Sequence, residues 1–408
     1  MANLKFHAAW RRSGLILGVL VTLLAATPGF TQDLASFEQK TTTHVLDNGW
    51  TFIIVERPVA PVFSFTTYAN VGAAQEVPGI TGLAHMFEHM AFKGTPNIGT
   101  KDYKSEKRAI EELEAAYQAW QDERLSRNPD QERLAQLSAR FEEKQKAADQ
   151  YVVNNEFGDI LSREGGTGLN AFTNSDVTGY FYSLPANKLE LMAFLESERF
   201  MHPVFREFYK ERDVVMEERR MRTESSPIGR LVEEFLAAAY LAHPYGQPTV
   251  GHRSDLQSFT REDALDFYDK YYVPSNVVMC LVGDVDPQRV RQLAEKYFGD
   301  WKREPTPEPV RTVEPPQKGE RRVVVRDPGQ PFYIIGYHKP AATDPDDAAY
   351  DVLVELLANG RSSRIHKRLV KEEKKAVAVG ALTQFPGLLY PGLLVAFTRL
   401  ARTRARLR

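Results

Sequence analysis

The stretch "TGLAHMFEHMAFKGT", Thr81–Thr95, constrains what this chain can form more than any other segment. It holds two of the nine histidines in 408 residues, four positions apart, with a glutamate between them and Leu, Met and Phe around them. Thr81 is a suitable N-cap, so the spacing predicts a helix over Leu83 to Lys93. On that helix His85, Glu88 and His89 share one face, since side chains at i and i+4 have Cβ atoms about 5–6 Å apart. Two imidazole nitrogens then converge at roughly 2.0–2.1 Å on one zinc ion. Glu88 stands beside the position left open for water. The bland reading, three polar residues on a wet helix face, conflicts with the apolar neighbours Met86, Phe87, Met90 and Phe92.

A catalytic zinc with two histidines needs a third protein ligand. The segment "YKERDVVMEERRMR" offers one: as a helix it places Glu211, Val214, Val215, Glu218 and Met221 on one face and turns Glu217, Arg219 and Arg220 elsewhere. Two carboxylates on an otherwise apolar stripe are costly unless something binds them. Glu218 as ligand and Glu211 as an orienting carboxylate behind a ligand satisfy both. Salt bridges within a charge-rich helix are the alternative, and suit Glu217 better.

Composition excludes several classes. With 43% hydrophobic and 26% charged residues the chain can bury a large core, and its length suggests two or more domains. A net charge of −2 gives no basic excess for a phosphate backbone, so nucleic acid is not expected as a partner. The single cysteine, Cys280, rules out intramolecular disulfides and reads as a buried strand thiol in "VVMCLVGD". Residues 1–32 have a basic start, an apolar run from Leu15 to Ala26 and small residues before Gln32, the layout of a secretory signal. As a helix that run spans about 18 Å, short of a bilayer core, so cleavage is expected rather than a stable membrane span. The paired Arg11 and Arg12 bear a weak likeness to a twin-arginine signal. The mature chain is expected to be periplasmic or secreted.

Past the signal, "HVLDNGWTFIIVERPVAPVFSFTTYANVGAAQE" reads as two or three strands leading into the histidine helix, an α+β opening. Residues 104–150 change to Glu, Lys, Gln, Ala and Arg. Ile110, Leu113, Tyr117 and Trp120, then Leu134, Leu137 and Phe141, repeat at heptad spacing around "RNPD". This predicts a helical hairpin with arms of roughly 30 Å, either a solvated stalk packed on itself or a docking surface. "GGTGLNAFTNSDVTGYFYSLP" reads as strand, turn and strand. Proline-rich residues 303–319 form the best linker. Beyond it the order starts again: laying "VLVELLANGRS" against "HMFEHMAFKGT" sets Val352 and Leu356 opposite the histidines and Glu355 opposite Glu88, a repeat without its ligands.

The inverted motif at His85, Glu88 and His89, the "ERDVVMEE" helix, "LNAFT" with "TGYFYSLP", and "HPYGQPTVG" together resemble the pitrilysin/insulinase family of zinc metallopeptidases, especially bacterial members related to mitochondrial processing peptidase. The resemblance runs from about Thr43 to about Pro391. It implies an α+β fold of two related α/β-sandwich domains of the processing-peptidase type, with the helical hairpin inserted in the first. The division implied is a catalytic domain over 43–302, with the hairpin at 104–150, a linker at 303–319 and a metal-free second domain over 320–408. It implies one zinc ion per chain held by His85, His89 and Glu218, with Glu88 as general base and Glu211 as supporting carboxylate. Asn170, Ala171, Phe172 and Thr173 would lie on the edge strand where a substrate peptide adds. Partners implied are peptide substrates and either a related metal-free subunit or a second copy of the chain.

Two departures bear on these expectations. The hairpin separates Glu218 from the histidines by more than is usual in the family. After "YPGLLVAFT" the chain turns into "RLARTRARLR", where the family continues through a second domain that supplies a substrate-holding arginine and tyrosine. The second domain therefore reads as incomplete, by frameshift, truncation or a variable terminus. A truncated or inactive homologue serving as an interaction subunit is the alternative function. A structural zinc protein acting through its hairpin is a further one, disfavoured because structural sites are closed by four protein ligands.

Overall fold

The computed structural model describes residues 34–401. The predicted signal segment and the basic tail from 402 onward lie outside them. The chain divides into two units, one ending at Thr42 and the other beginning at Thr43. In the first, helix α1 (Leu34–Gln39) leads to the start of strand β1 (Thr41–Val45).

Everything that bears on the site lies in the second unit. Its larger sheet has six strands in the order β1-β2-β6-β3-β5-β4, with β2 (Thr51–Glu56), β3 (Val62–Ala69), β4 (Thr167–Thr173), β5 (Thr178–Pro185) and β6 (Val277–Gly283). β2 and β6 run parallel, while β3 is antiparallel to both β5 and β6, and β4 is antiparallel to β5. Alternation explains the layering: Phe63, Phe65, Thr67 and Ala69 of β3 are buried, while Ser64 and Tyr68 face outward. Helices cover the buried face. The helices of this part of the chain are α2 (Leu83–Met90), α3 (Tyr103–Arg124), α4 (Gln131–Asp149), α5 (Glu156–Arg163), α6 (Leu189–Met201), α7 (Phe208–Arg219), α8 (Pro227–Ala239), α9 (Arg253–Ser258), α10 (Arg261–Tyr271) and α11 (Pro287–Phe298). Of these, α2, α5 and α6 touch the large sheet directly, while Leu236 of α8 packs with Leu393 and Val395 of the second sheet. Trp50, fully buried, packs against Phe298 at 4.7 Å and Phe200 at 5.5 Å, and so ties sheet to helices.

A second, three-stranded sheet has the order β7-β9-β8, from β7 (Phe332–Lys339), β8 (Ala376–Phe385) and β9 (Gly392–Leu400), all antiparallel. Helix α12 (Asp347–Leu357) lies between β7 and β8 in sequence. Strand, helix and hairpin with the last strand central is also the plan of β3, α2, β4 and β5. The molecule thus has two related α/β modules, with α12 in the place of α2. Gly94 after α2 and Gly360 after α12 both take positive φ, +94° and +77°. The repeat seen in "VLVELLANGRS" therefore has a topological counterpart, and Val352 and Leu356 of α12 are exposed apolar residues.

One expectation is corrected, and the predicted linker gains contacts. The hairpin of α3 and α4 is not a stalk packed only on itself. Ile110, Leu113 and Tyr117 are buried, and the Tyr117 ring stacks on Tyr209 of α7 at 3.9 Å. Arg212 of α7 donates to the Tyr117 hydroxyl at 2.5 Å. Heptad periodicity reports that one face is buried, not which partner buries it. The proline-rich segment, which carries no helix or strand, is also tied down. The Glu314 carboxylate accepts the backbone N–H groups of Leu241, Ala242 and His243 at 2.8, 2.9 and 3.0 Å.

Candidate metal centre

Helix α2 starts on Gly82, not on a Thr81 cap. Gly82 sits at φ +96°, and a Cβ there would meet the Val250 carbonyl oxygen at 2.6 Å, so only glycine fits. The Thr81 hydroxyl instead donates to Asp255 at 2.7 Å. The helix's free N–H groups are met from outside: those of Gly82 and Ala84 each donate to the Glu76 carboxylate at 2.7 Å. Burial pushes the Glu76 carboxyl up to about 8 against the pull of those two donors. The helix ends at Met90, shorter than the expected Lys93, and Phe92 and Lys93 lie in the turn that follows.

His85, Glu88 and His89 emerge on the side of α2 that faces α7. His85 is buried, at 4% exposure. Its Nε2 lies 3.5 Å from Glu218 Oε2, and His89 Nε2 lies 3.3 Å from the same oxygen. Among the described residues these three side chains are the group whose ligating atoms converge, all within 4.8 Å of one another. The other nitrogen of His89, Nδ1, is 3.0 Å from Glu211 Oε1, and Lys93 Nζ is 2.6 Å from Glu211 Oε2. Glu218 Oε1 in turn meets Arg222 at 2.8 Å. His85 Nδ1 is buried without a hydrogen-bond partner.

Electrostatics separates the two rings. Burial works against charge on His89, but the hydrogen bonds its ring donates to the Glu211 and Glu218 carboxylates outweigh it and raise the ring to about 9. For His85 burial dominates and lowers it to about 4, since only Glu218 pulls the other way. The His89 hydrogen bond holds Glu218 below the usual carboxylate range. Burial raises Glu88, with Thr173 of β4 and the His89 charge opposing.

On α7 Glu211 and Glu218 turn toward the histidines, and Val215 between them is fully buried. Val214 and Met221, expected on the same face, are 50% and 59% exposed. Arg219, expected to point elsewhere, is buried and donates to the Gly251 carbonyl at 2.6 Å and to Glu233. The buried stripe is thus displaced from the expected one, taking in Arg212 and Arg219 and leaving out Val214 and Met221. Glu217 forms an exposed pair with Arg220.

Strand β4 is the outer strand of the large sheet, and Asn170, Ala171, Phe172 and Thr173 pair on one side with Phe181, Tyr180, Gly179 and Thr178. The Ala171 N–H is met by the carboxamide of its own neighbour Asn170, at 2.9 Å. Sequence reasoning missed Glu76, Lys93 and Arg222. Lys93, four positions beyond His89, and Arg222, four beyond Glu218, carried a usable spacing signal; Glu76, reached across a loop, carried none.

Comparison with known proteins defines the class. Residues 51–123 match the model of insulinase, peptidase family M16, and residues 258–394 match the M16 inactive domain. The zinc protease PqqE of Helicobacter pylori is 31% identical over 383 residues, covering 91% of this chain and 72% of that protein. The chain belongs to the insulinase family of peptidases. A protease from Helicobacter pylori of known crystal structure superposes with a TM-score of 0.71 at 29% identity, over 89% of this chain and 75% of that one. The periplasmic protease PqqL of Escherichia coli shares the fold, with a TM-score of 0.60 at 19% identity over 89% of this chain and 36% of that one. No helix among the described residues is long and apolar enough to cross a membrane.

Proposed function

We propose that this chain is a zinc-dependent endopeptidase that hydrolyses extended peptides or unfolded segments. The observation that carries the reading is the convergence of His85, His89 and Glu218, with Glu88 one turn away. Zinc fits this donor set. In tetrahedral coordination at 2.0–2.1 Å, neighbouring donor atoms stand about 3.4 Å apart, and the two His–Glu218 separations are 3.5 and 3.3 Å. His85, His89 and Glu218 would hold one ion per chain and leave a position open.

When bound, zinc supplies Lewis acidity to a water molecule and to the scissile carbonyl. Glu88 takes the proton of the attacking water and passes it to the leaving amine nitrogen as the C–N bond breaks. Glu211 keeps a proton on His89 Nδ1, so that Nε2 presents its lone pair to the site. The substrate adds as a further strand along Asn170, Ala171, Phe172 and Thr173, which restricts cleavage to segments whose backbone is unpaired. In the same reading residues 43–302 form the catalytic domain, 303–319 link it, and 320 onward form the metal-free domain. Residues 1–32 direct export to the periplasm, and a related metal-free subunit or a second copy is the partner.

The zinc-loaded chain is expected to cleave a pool of unstructured peptides, to lose cleavage with a chelator and to regain it with one equivalent of zinc. A folded, zinc-loaded chain that cleaves nothing would overturn this and leave the interaction-subunit reading. Glu211→Gln is expected to weaken zinc binding about 10–100-fold, read by competition with a chromophoric chelator. Unchanged affinity would remove its orienting role.

A further inference from the structure

A cavity of about 450 Å³ opens beside Glu88 and His89 and runs along β4 at Ala171. Its volume lies in the range of sites that enclose a small ligand or a long side chain. Phe92, Val153 and Phe157 supply an apolar wall. The floor carries Glu156, Glu207 and Glu211 against a single ammonium, Lys93. Lys93 is drawn to Glu211 at 2.6 Å and lies 3.4 Å from Glu207. Lys210 also lies 3.4 Å from Glu207 but is held closer by Asp149, at 2.7 Å. Glu156 accepts the Gly99 N–H, and no cation among the described residues pairs with it.

An apolar wall ending in under-neutralised carboxylates matches a side chain with an apolar stem and a cationic head. Resting on the peptidase reading, we infer that this cavity receives an arginine or lysine side chain of the substrate next to the cleaved bond, with Glu156 and Glu207 as its specificity-determining residues. One wall, Val152 to Phe157, is the segment leaving the helical hairpin, so the hairpin takes part in substrate choice.

The test uses one extended peptide scaffold with Arg, Lys, Leu or Glu at each position flanking the cleaved bond, offered to the zinc-loaded full chain. Charge-assisted hydrogen bonds predict kcat/KM roughly 10–100-fold higher for Arg than for Glu at one of those positions. In Glu156→Gln, and separately in Glu207→Gln, the Arg-to-Glu ratio within the same variant is expected to fall. Binding of the Arg and Glu peptides to Glu88→Gln, read by fluorescence anisotropy, gives the same ordering without turnover. A flat or reversed ratio in both assays would overturn the inference, as would a preference undiminished in both variants. Hydrolysis without a basic preference defeats the cavity assignment alone. Tighter binding of Arg peptides with no hydrolysis defeats the peptidase reading alone.

Discussion

Glu88→Gln is expected to keep zinc near one ion per chain while peptide hydrolysis falls by about 10²–10⁴-fold. Glu88 is not among the three side chains that converge, so its loss leaves the donor set intact. Glutamine keeps the length of the side chain and its hydrogen-bonding capacity toward Thr173, but it cannot accept a proton. The change should therefore appear in kcat, with KM little altered, because the missing group acts on the transition state. Metal analysis alongside kinetics checks it. Wild-type turnover would remove the base assignment, and loss of zinc would place Glu88 in the donor set. Glu218→Gln should behave in the opposite order and lose metal first.

Arg206→Leu is expected to destabilise the fold by about 3–5 kcal/mol, since it leaves a buried carboxylate unpaired. Arg206 is 1% exposed and Glu106 is fully buried. Their charges meet at 2.7 and 3.1 Å. The same guanidinium donates to the carbonyls of Lys93, Ile98 and Thr95 at 2.6, 2.8 and 2.8 Å. It thereby pins the loop that follows α2 and carries Lys93 to Glu211. The backbone around it is strained: Phe205 and Glu207 take φ of +52° and +57°, a conformation that persists only where the surroundings enforce it. Gly94 and Gly99 complete the arrangement, because a Cβ at either would come within 2.5 or 2.7 Å of the Arg206 guanidinium. Denaturant unfolding of the variant checks the value. A loss below about 1 kcal/mol would show that the loop is held by other contacts. The double variant Arg206→Met with Glu106→Leu should recover much of the loss, since no charge is then left unpaired.

The legible parts of this molecule were those encoded within one turn or two of helix. The spacing of His85, Glu88 and His89 puts three side chains on one face before any tertiary contact exists, and Glu211 and Glu218 repeat that logic on a second helix. The helical hairpin and the strand pair around Asn170 to Thr173 followed from periodicity and glycine punctuation, whereas the edge position of the first strand came only from the family resemblance. Periodicity was less reliable for faces: Val214 and Val215 are adjacent, and only the packed structure buries the second and exposes the first.

By itself, then, the sequence determined which residues share a helical turn and where the elements begin and end to within a few residues; it set a second helix beside the histidine helix in a short alignment, and the strand order made that a repeat of modules. Tertiary structure alone decided that α7 faces α2, so that Glu218 comes to both histidines from over a hundred residues away. It also decided that Glu76 caps the histidine helix from a preceding loop, that Arg206 locks the loop behind it, and that the hairpin packs on α7. Ligand spacing is a property of one helix and is written in local order. A cap from a loop, a buried ion pair and a helix-to-helix contact are selected by the core as a whole, where each polar group must find a partner once water is excluded.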